Sequence, residues 1–352
     1  MAITKKIKIY MEEAYRDTIW CKELLGGLEK ELKKRRLIFE ECTKIESADK
    51  DCYGFILGMN CEWVESCIGK CNELGMVPIV LSNQSDEKLN GSYHLICPDV
   101  LAVAGQLKES LLLSGRKRVA LYGSNRNNEL DKSRTEIFAE LISRVEDIYP
   151  NNGNLEKCFR TFLPKAAAYD AVLCINGYAA ISLVKKLEKE NPQLLDQLEI
   201  LTFEEVLKHS KYNQWISCIE MNLENYGITA LQLLDMISQR DDISGMTVKM
   251  KCSLCEVSPK QEMEEEVSDG LEADYEDPEI IQMAKIEQLL RDADDMDHHI
   301  IAMLLDHATY ADIADSCYMT EGNVKYRVKK YLTISDCSTK KELIELLQEY
   351  LQ

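Results

Sequence analysis

Along the first 250 residues the apolar positions keep changing period, and each change marks a new element. Residues 7–10 alternate as a strand does. Residues 19–33 then place Leu24, Leu25, Leu28 and Leu32 on one helical face. Strand-like runs at 37–39, 54–57 and 77–81 enclose a helical stretch at 62–74, and 100–113 is helical again. This order of strand and helix predicts a parallel sheet covered by helices on both faces. The alternation then restarts. Strands are expected at 118–122, 171–175, 198–201, 215–220 and 247–257, with helices at 133–144, 179–190 and 224–236. The fold class read from this pattern is α/β, two doubly wound parallel sheets forming a bilobal domain over residues 1–257. The first lobe is expected at about 1–114 plus 222–245, and the second at about 115–221 plus 246–257. Open sheets of this kind bind ligands beyond the carboxyl ends of their strands, so a cleft between the lobes is the expected ligand site.

The tail has a different rhythm. Helical spacing resumes at 280–290, and a short amphipathic pattern places Ile313 and Ala314 inward. A second pattern repeats Val324, Val328 and Leu332 at every fourth position. Thr320 stands before it as an N-cap candidate, with Asn323 three residues on. The other side carries Lys325, Arg327, Lys329 and Lys330. An apolar back with cationic donors in front suits a helix lying in a DNA major groove. A last helix is expected at 340–351, after cap candidates Ser338 and Thr339. Residues 280–352 therefore form a separate all-α domain.

Charge changes this picture in one place. The chain of 352 residues carries a net charge of −19. Residues 261–279 hold ten of the acids (Glu262, Glu264, Glu265, Glu266, Asp269, Glu272, Asp274, Glu276, Asp277 and Glu279) and no Lys or Arg. Residues 258–279 thus read as an acidic linker, extended by self-repulsion. The local field at the cationic helix matters more than the total, but the C-terminal region outside that helix is acidic, so modest non-specific DNA affinity is expected. Fourteen cysteines are scattered through apolar patterns. With no signal-peptide pattern at the start, they read as reduced thiols of a cytoplasmic protein. No apolar run approaches the ~18 residues a membrane span needs.

Two resemblances sharpen the expectation. Over the last 60 residues or so, Asp312-Ile313-Ala314, Met319-Thr320 and Val324-Lys325 with Val328 resemble a LuxR-type helix-turn-helix. Asn323 stands where that family has Thr, and Arg327 where it has His. The resemblance implies that Lys325, Tyr326 and Lys329 face bases and phosphates, with Thr320, Asn323 and Lys330 beside them. It also implies that the last helix, through Leu343, Leu346, Leu347 and Tyr350, is a dimer surface; internal packing is the competing reading. Residues 5–257 resemble the sensor domain of the lactose-repressor family, which shares the periplasmic-binding-protein fold. The landmarks are Gly27-Leu28-Glu29, the stretch 114–123, Arg134-Thr135-Glu136-Ile137-Phe138, Tyr169-Asp170-Ala171-Val172 with Cys174-Ile175-Asn176, and Thr202-Phe203-Glu204. That family carries its DNA-binding element ahead of the sensor; here the element is expected behind it.

These landmarks imply a sugar-like ligand. Arg134 offers a planar fork of donors, Asn176 both a donor and an acceptor, and Glu204 an acceptor. Trp20 and Tyr15 offer flat faces for a ring. The competing reading pairs Arg134 with Glu204 and puts Trp20 in the core. Gly177 departs from the family's Asp and removes a polar group from the expected site.

Other constellations are weak. Cys252 and Cys255 have metal-like spacing without a second pair, and the stretch from Gly123 lacks a phosphate-binding fingerprint. No catalytic motif stands out, so neither an enzyme nor a cofactor nor a metal site is expected. The function read from the sequence is a cytoplasmic, dimeric transcription regulator that binds DNA and responds to a small polar effector. The alternative is a metabolite-sensing adaptor whose C-terminal helices bind a protein.

Overall fold

The computed structural model describes residues 6–16, 19–50, 52–82, 89–113, 115, 117–125, 128–139, 145–203, 207, 210–240, 242–255 and 276–352. In chain order the first half comprises β1 (Ile7–Met11), α1 (Ile19–Lys34), β2 (Phe39–Cys42), β3 (Tyr53–Leu57), α2 (Cys61–Glu73), β4 (Val77–Leu81), β5 (His94–Pro98) and α3 (Val100–Leu113). Then follow β6 (Val119–Ser124), α4 (Glu129–Phe138), β7 (Ile148–Pro150), α5 (Leu155–Phe162), β8 (Ala171–Cys174), α6 (Gly177–Glu190), β9 (Glu199–Phe203), β10 (Ile216–Glu220), α7 (Glu224–Ile237), β11 (Thr247–Met250) and β12 (Ser253–Cys255). The tail is α8 (Pro278–Arg291), α9 (Asp295–Leu305), α10 (Tyr310–Ser316), α11 (Glu321–Ser335) and α12 (Lys340–Leu351).

Two six-stranded sheets carry the two lobes. The first has the order β11-β5-β4-β3-β1-β2 and is parallel throughout. The second has the order β12-β10-β9-β8-β6-β7, parallel except for the antiparallel edge strand β12. The bilobal α/β reading holds, as does the all-α tail. The short strands β5 and β7 and the helices α5 and α9 were not anticipated. β5 is buried along its whole length, so it lacks the alternation by which a strand is recognised.

Within the first lobe the period-2 pattern sorts side chains cleanly. Ile7, Ile9 and Met11 point with Phe55, Leu57, Ile79 and Leu81 toward α1 and α7, while Tyr10, Ile56 and Val80 point toward α2. In the second lobe, Ala120, Tyr122, Val172 and Cys174 face α5 and α6. Val119, Leu121, Ala171 and Leu173 face α3 and α4.

Two expected boundaries move. α3 was assigned to the first lobe by the boundary at 114, yet Val103, Ala104, Leu107 and Leu111 pack with Val119, Leu121 and Phe138 on the second sheet. The stretch 247–257, expected as one second-lobe strand, supplies two strands. β11 joins the first sheet beside β5 and β12 the second beside β10. The chain therefore crosses between lobes just before α3, just before α7 and between β11 and β12. The helix expected at 133–144 begins earlier, because Asn128 caps it by accepting the Asp131 N–H at 2.9 Å; residues 140–144 of that expectation lie outside the described residues.

The packing of α1 on α7 depends on two glycines. A Cβ on Gly27 would lie 2.2 Å from the Glu224 carbonyl oxygen, and one on Gly227 2.1 Å from the Leu28 nitrogen. Lys30–Glu224 at 2.6 Å and Arg35–Asp235 at 2.5 Å flank this close approach. Alanine is the better helix former by ~1 kcal/mol, which would favour Gly227→Ala if the site were open. The backbone clash outweighs that. The substitution is expected to destabilise the chain by about 2 kcal/mol, read as a fall of roughly 4–8 °C in melting temperature. A variant that melts higher than the parent would show that the helices separate at no cost.

Candidate ligand cleft and cationic helix

The carboxyl ends of the second sheet collect an Asn-rich set of side chains. Asn128 caps α4, and the Asp131 carboxylate accepts the Asn125 backbone N–H at 2.9 Å. Arg134, one turn on, is buried; its guanidinium lies over the Phe203 ring at 4.4 Å and donates to the Ile175 carbonyl at 3.2 Å. Asn176 is buried too, and its side-chain oxygen caps α6 by accepting the Ala179 N–H at 2.9 Å. Arg134 and Asn176 thus meet at the ends of β8 and β9. Glu204 lies outside the described residues, so its pairing with Arg134 is not on view.

Tyr15 and Trp20 sit in the other lobe, in the turn after β1 and the first turn of α1. Both are buried among the apolar residues facing the first sheet. Trp20 still has a polar feature there, since its Nε1 has no hydrogen-bond partner among the described residues. Leu130, from α4 of the second lobe, belongs to the same apolar cluster. The lobes therefore touch beside the expected ligand site. One residue the sequence reading missed is Asn151, after β7. It is 2 % exposed, and neither amide atom has a partner among the described residues. Asn151 opens an Asn-Asn-Gly-Asn turn, and a turn signal does not say which of its asparagines ends up buried.

The tail presents a second site. Thr309 and Asp312 cap α10 reciprocally. Four residues later Thr320 opens α11 by accepting the Asn323 N–H at 3.3 Å. Tyr318, in the connecting turn, has φ 53° and is 98 % exposed. Val324 (0 % exposed) and Val328 (1 %) face inward, as the four-residue repeat predicts. Lys325, Lys329, Lys330, Asn323 and Tyr326 (76 %) are exposed. Lys325 pairs with Glu321 at 3.1 Å and lies 5.8 Å from the Tyr310 ring centre.

Arg327 does not join the other cations. It is drawn onto α9, bonding Asp294 at 2.9 Å and Asp297 at 2.5 Å, with the Tyr331 hydroxyl also on Asp297. The Asp297 backbone N–H and then Arg327 hold the Asp294 carboxyl below its usual range. Arg327 therefore orients the helix and leaves three lysines facing out.

The expected dimer surface is also redirected. Leu343, Leu346, Leu347 and Tyr350 of α12 are buried inside this chain. Tyr350 receives Lys185 of α6 at its hydroxyl (2.9 Å), and its carbonyl accepts from Ser210 at 3.0 Å. α8 docks on α6 as well, with Ile280, Met283, Ala284, Ile286 and Leu289 in the core that starts at the second sheet. Glu279 closes this interface on Lys185 at 2.7 Å, Lys186 at 2.5 Å and the Ser182 hydroxyl at 2.9 Å. So Asp277 and Glu279, expected as the end of a linker, are anchors. Residues 258–275 of that linker lie outside the described residues.

No helix among the described residues is long and apolar enough to cross a membrane. No group of three His, Cys, Asp or Glu suited to a metal ion occurs among them. No protein-family model matches the sequence, and no curated protein is similar enough to it to be matched. Solved structures do resemble it. A transcriptional regulator CelR–cellobiose complex aligns with TM-score 0.54 at 12 % identity, over 71 % of this chain and 83 % of that one. GanP, a glucose-galactose binding protein from Geobacillus stearothermophilus, aligns at 0.55 and 13 %, over 72 % and 97 %. A lac repressor dimer bound to operator and the anti-inducer ONPF aligns at 0.54 and 11 %, over 72 % and 93 %. These likenesses establish the two-lobed α/β fold.

The docking interface generates a pH expectation. Burial would raise the Glu279 carboxyl, but Lys186 and Lys185 outweigh it and hold it below its ordinary value. A lowered folded value means the contribution is fully present above the ordinary carboxylate range, near 4.3, and is lost as pH falls below it. Glu279→Ala would leave two lysines facing each other's charge. The pair is partly wetted, so the loss is expected at about 2 kcal/mol, below the ~3–5 of a fully buried pair. Protection of the α8 and α12 amides, corrected for the intrinsic pH dependence of exchange, should fall in Glu279→Ala at pH 7 and in the parent chain as pH drops below the ordinary carboxylate range. Unchanged protection in both would show that the apolar contacts alone hold the tail.

Proposed function

We propose that this chain is a cytoplasmic, ligand-responsive DNA-binding regulator, with α10 and α11 as a LuxR-type helix-turn-helix. The observation that carries this reading is α11 itself. Its valine face is locked inward while Lys325, Lys329 and Lys330 project outward with Tyr326 and Asn323. Lysines reach phosphates as flexible point charges, whereas Asn, Thr and Tyr reach base edges and sugars. Thr320, at the cap of α11, stands where a helix N-terminus meets the groove. About half of the chain's excess acid lies in another segment, and the cations of this face act on phosphates through the local field rather than the total.

The sensor half is the other part of the proposal. The cleft between the lobes takes a small polar effector, sugar-like in its hydroxyls, with Arg134 and Asn176 at one wall and Trp20 and Tyr15 at the other. Glu204, which lies outside the described residues, joins the proposal on the sequence alone. Similarity of fold to a regulator solved with cellobiose and to a glucose-galactose binding protein supports this ligand class. Similarity to a lac repressor dimer on its operator supports a homodimer on a palindromic site. Half-sites would then lie one helical turn apart.

A second reading has its own support. Tyr318 and Tyr326 are large, exposed rings on one domain, and such rings also anchor protein partners. Salt separates the two. DNA affinity should fall with salt by about 0.9 in log K per log unit for each phosphate contacted. The double change Lys325→Ala, Lys329→Ala should cut affinity for duplex DNA at least tenfold and reduce that slope by about two. Fluorescence anisotropy over a salt series makes the measurement. Affinity and slope unchanged in the double variant would remove α11 as the reading helix.

A further inference from the structure

Three connections leave the carboxyl end of the second sheet, and each is tied to α8 by a buried carboxylate. After β7, the Leu155 N–H at the start of α5 donates to Asp277 at 2.5 Å. After β8, the Tyr178 hydroxyl in the first turn of α6 donates to Glu287 at 2.6 Å. After β9, the Leu207 N–H donates to the other oxygen of Glu287 at 3.1 Å. Asp277 and Glu287 are both buried, and Asp277 also caps α8 through its other oxygen, accepting from Glu279 N–H at 2.8 Å. This is the end of the sheet at which an open α/β fold binds its ligand. The opposite flank of α8 supports α11. Val324, Val328 and Tyr331 share its core, and Lys285 pairs with Asp336 at the end of α11 at 3.0 Å.

Leu207 adds a second, independent sign. Its φ is 47°, a left-handed conformation that bulky residues avoid, while its side chain is fully buried. Strain of this kind persists only where surrounding contacts enforce it, and it gathers at elements that switch. The contacts in question are the Glu287 carboxylate on its N–H and the Asn213 amide on its carbonyl at 3.0 Å.

We propose that α8 is the relay between the cleft and the DNA-facing helix, with Glu287 as its positioning residue. This rests on the proposed function above and adds the route by which the effector acts. A buried carboxylate deprived of its donors is costly, so a shift of Leu207 or Tyr178 draws α8 with it rather than abandoning the bond. α11, seated on α8, then turns relative to the first lobe. Coupling is reciprocal: occupancy of α11 must stiffen the Leu207 connection.

Hydrogen exchange on the full chain tests this, with a random-sequence duplex about three helical turns long as the probe. Binding of the duplex should slow exchange at Leu207 and at residues 210–213 by about threefold or more. Glu287→Met removes both acceptors at constant length. It should bind the duplex within about twofold of the parent while leaving those amides unaffected. Amides that do not respond in the parent, or that respond equally in Glu287→Met, overturn the relay. If the duplex does not bind at all, the DNA reading fails and the relay is judged without it. Tyr178→Phe, which keeps the ring and loses only the hydroxyl, should then speed exchange in α11 by about threefold. No change in α11 overturns the relay in that case.

Discussion

The molecule's organisation rests on the burial of α8 and α12 against α6. One continuous apolar core runs from Tyr122 and Val172 on the second sheet, through Ala180, Leu183 and Val184 of α6, to Met283, Leu347 and Tyr350 of the tail. Polar groups at its margin are few and specifically paired: Glu279 on Lys185 and Lys186, Glu287 on Tyr178, Ser210 on the Tyr350 carbonyl. Apolar area supplies most of the attraction, and the buried carboxylates fix the register, since each must find its donors. The consequence is mechanical. The tail travels with the second lobe, so a motion between lobes changes where α11 stands relative to the first.

Charge acts locally in this chain. A net −19 would oppose any approach to nucleic acid if it were spread evenly, but ten of the acids lie within residues 261–279. In the helical tail the carboxylates are largely engaged. Asp294 and Asp297 hold Arg327, Asp312 and Asp277 cap helices, and Glu279 and Glu287 seat the domain on α6. Lys325, Lys329 and Lys330 remain facing solvent. An acidic domain can therefore present a cationic helix, provided its acids are used for structure.

The cleft shows a related economy of polar groups. Arg134 is buried yet well satisfied, by a carbonyl and by the face of Phe203, and its position is set by α4 through the Asn128 cap. Trp20 and Asn151 keep buried polar atoms with no partner among the described residues. Such groups cost roughly 1–3 kcal/mol each and are uncommon in native folds.

The chain's periodicities determined a good deal on their own. Alternation specified which strand faces meet helices, the four-residue repeat turned Val324 and Val328 inward, and Thr320 and Thr339 marked true helix starts. These are local properties, decided by side chains within a few residues of one another. Tertiary structure decided what each apolar face was for. α3 went to the second sheet, residues 247–255 were divided between both sheets, and α12 turned its leucines onto its own chain. Arg327 was claimed by Asp294 and Asp297, which lie 33 and 30 residues earlier in the chain. An apolar stripe records that a face must be covered and a charge that it needs a partner. Neither records which distant segment arrives, because that choice belongs to the packing of the whole chain.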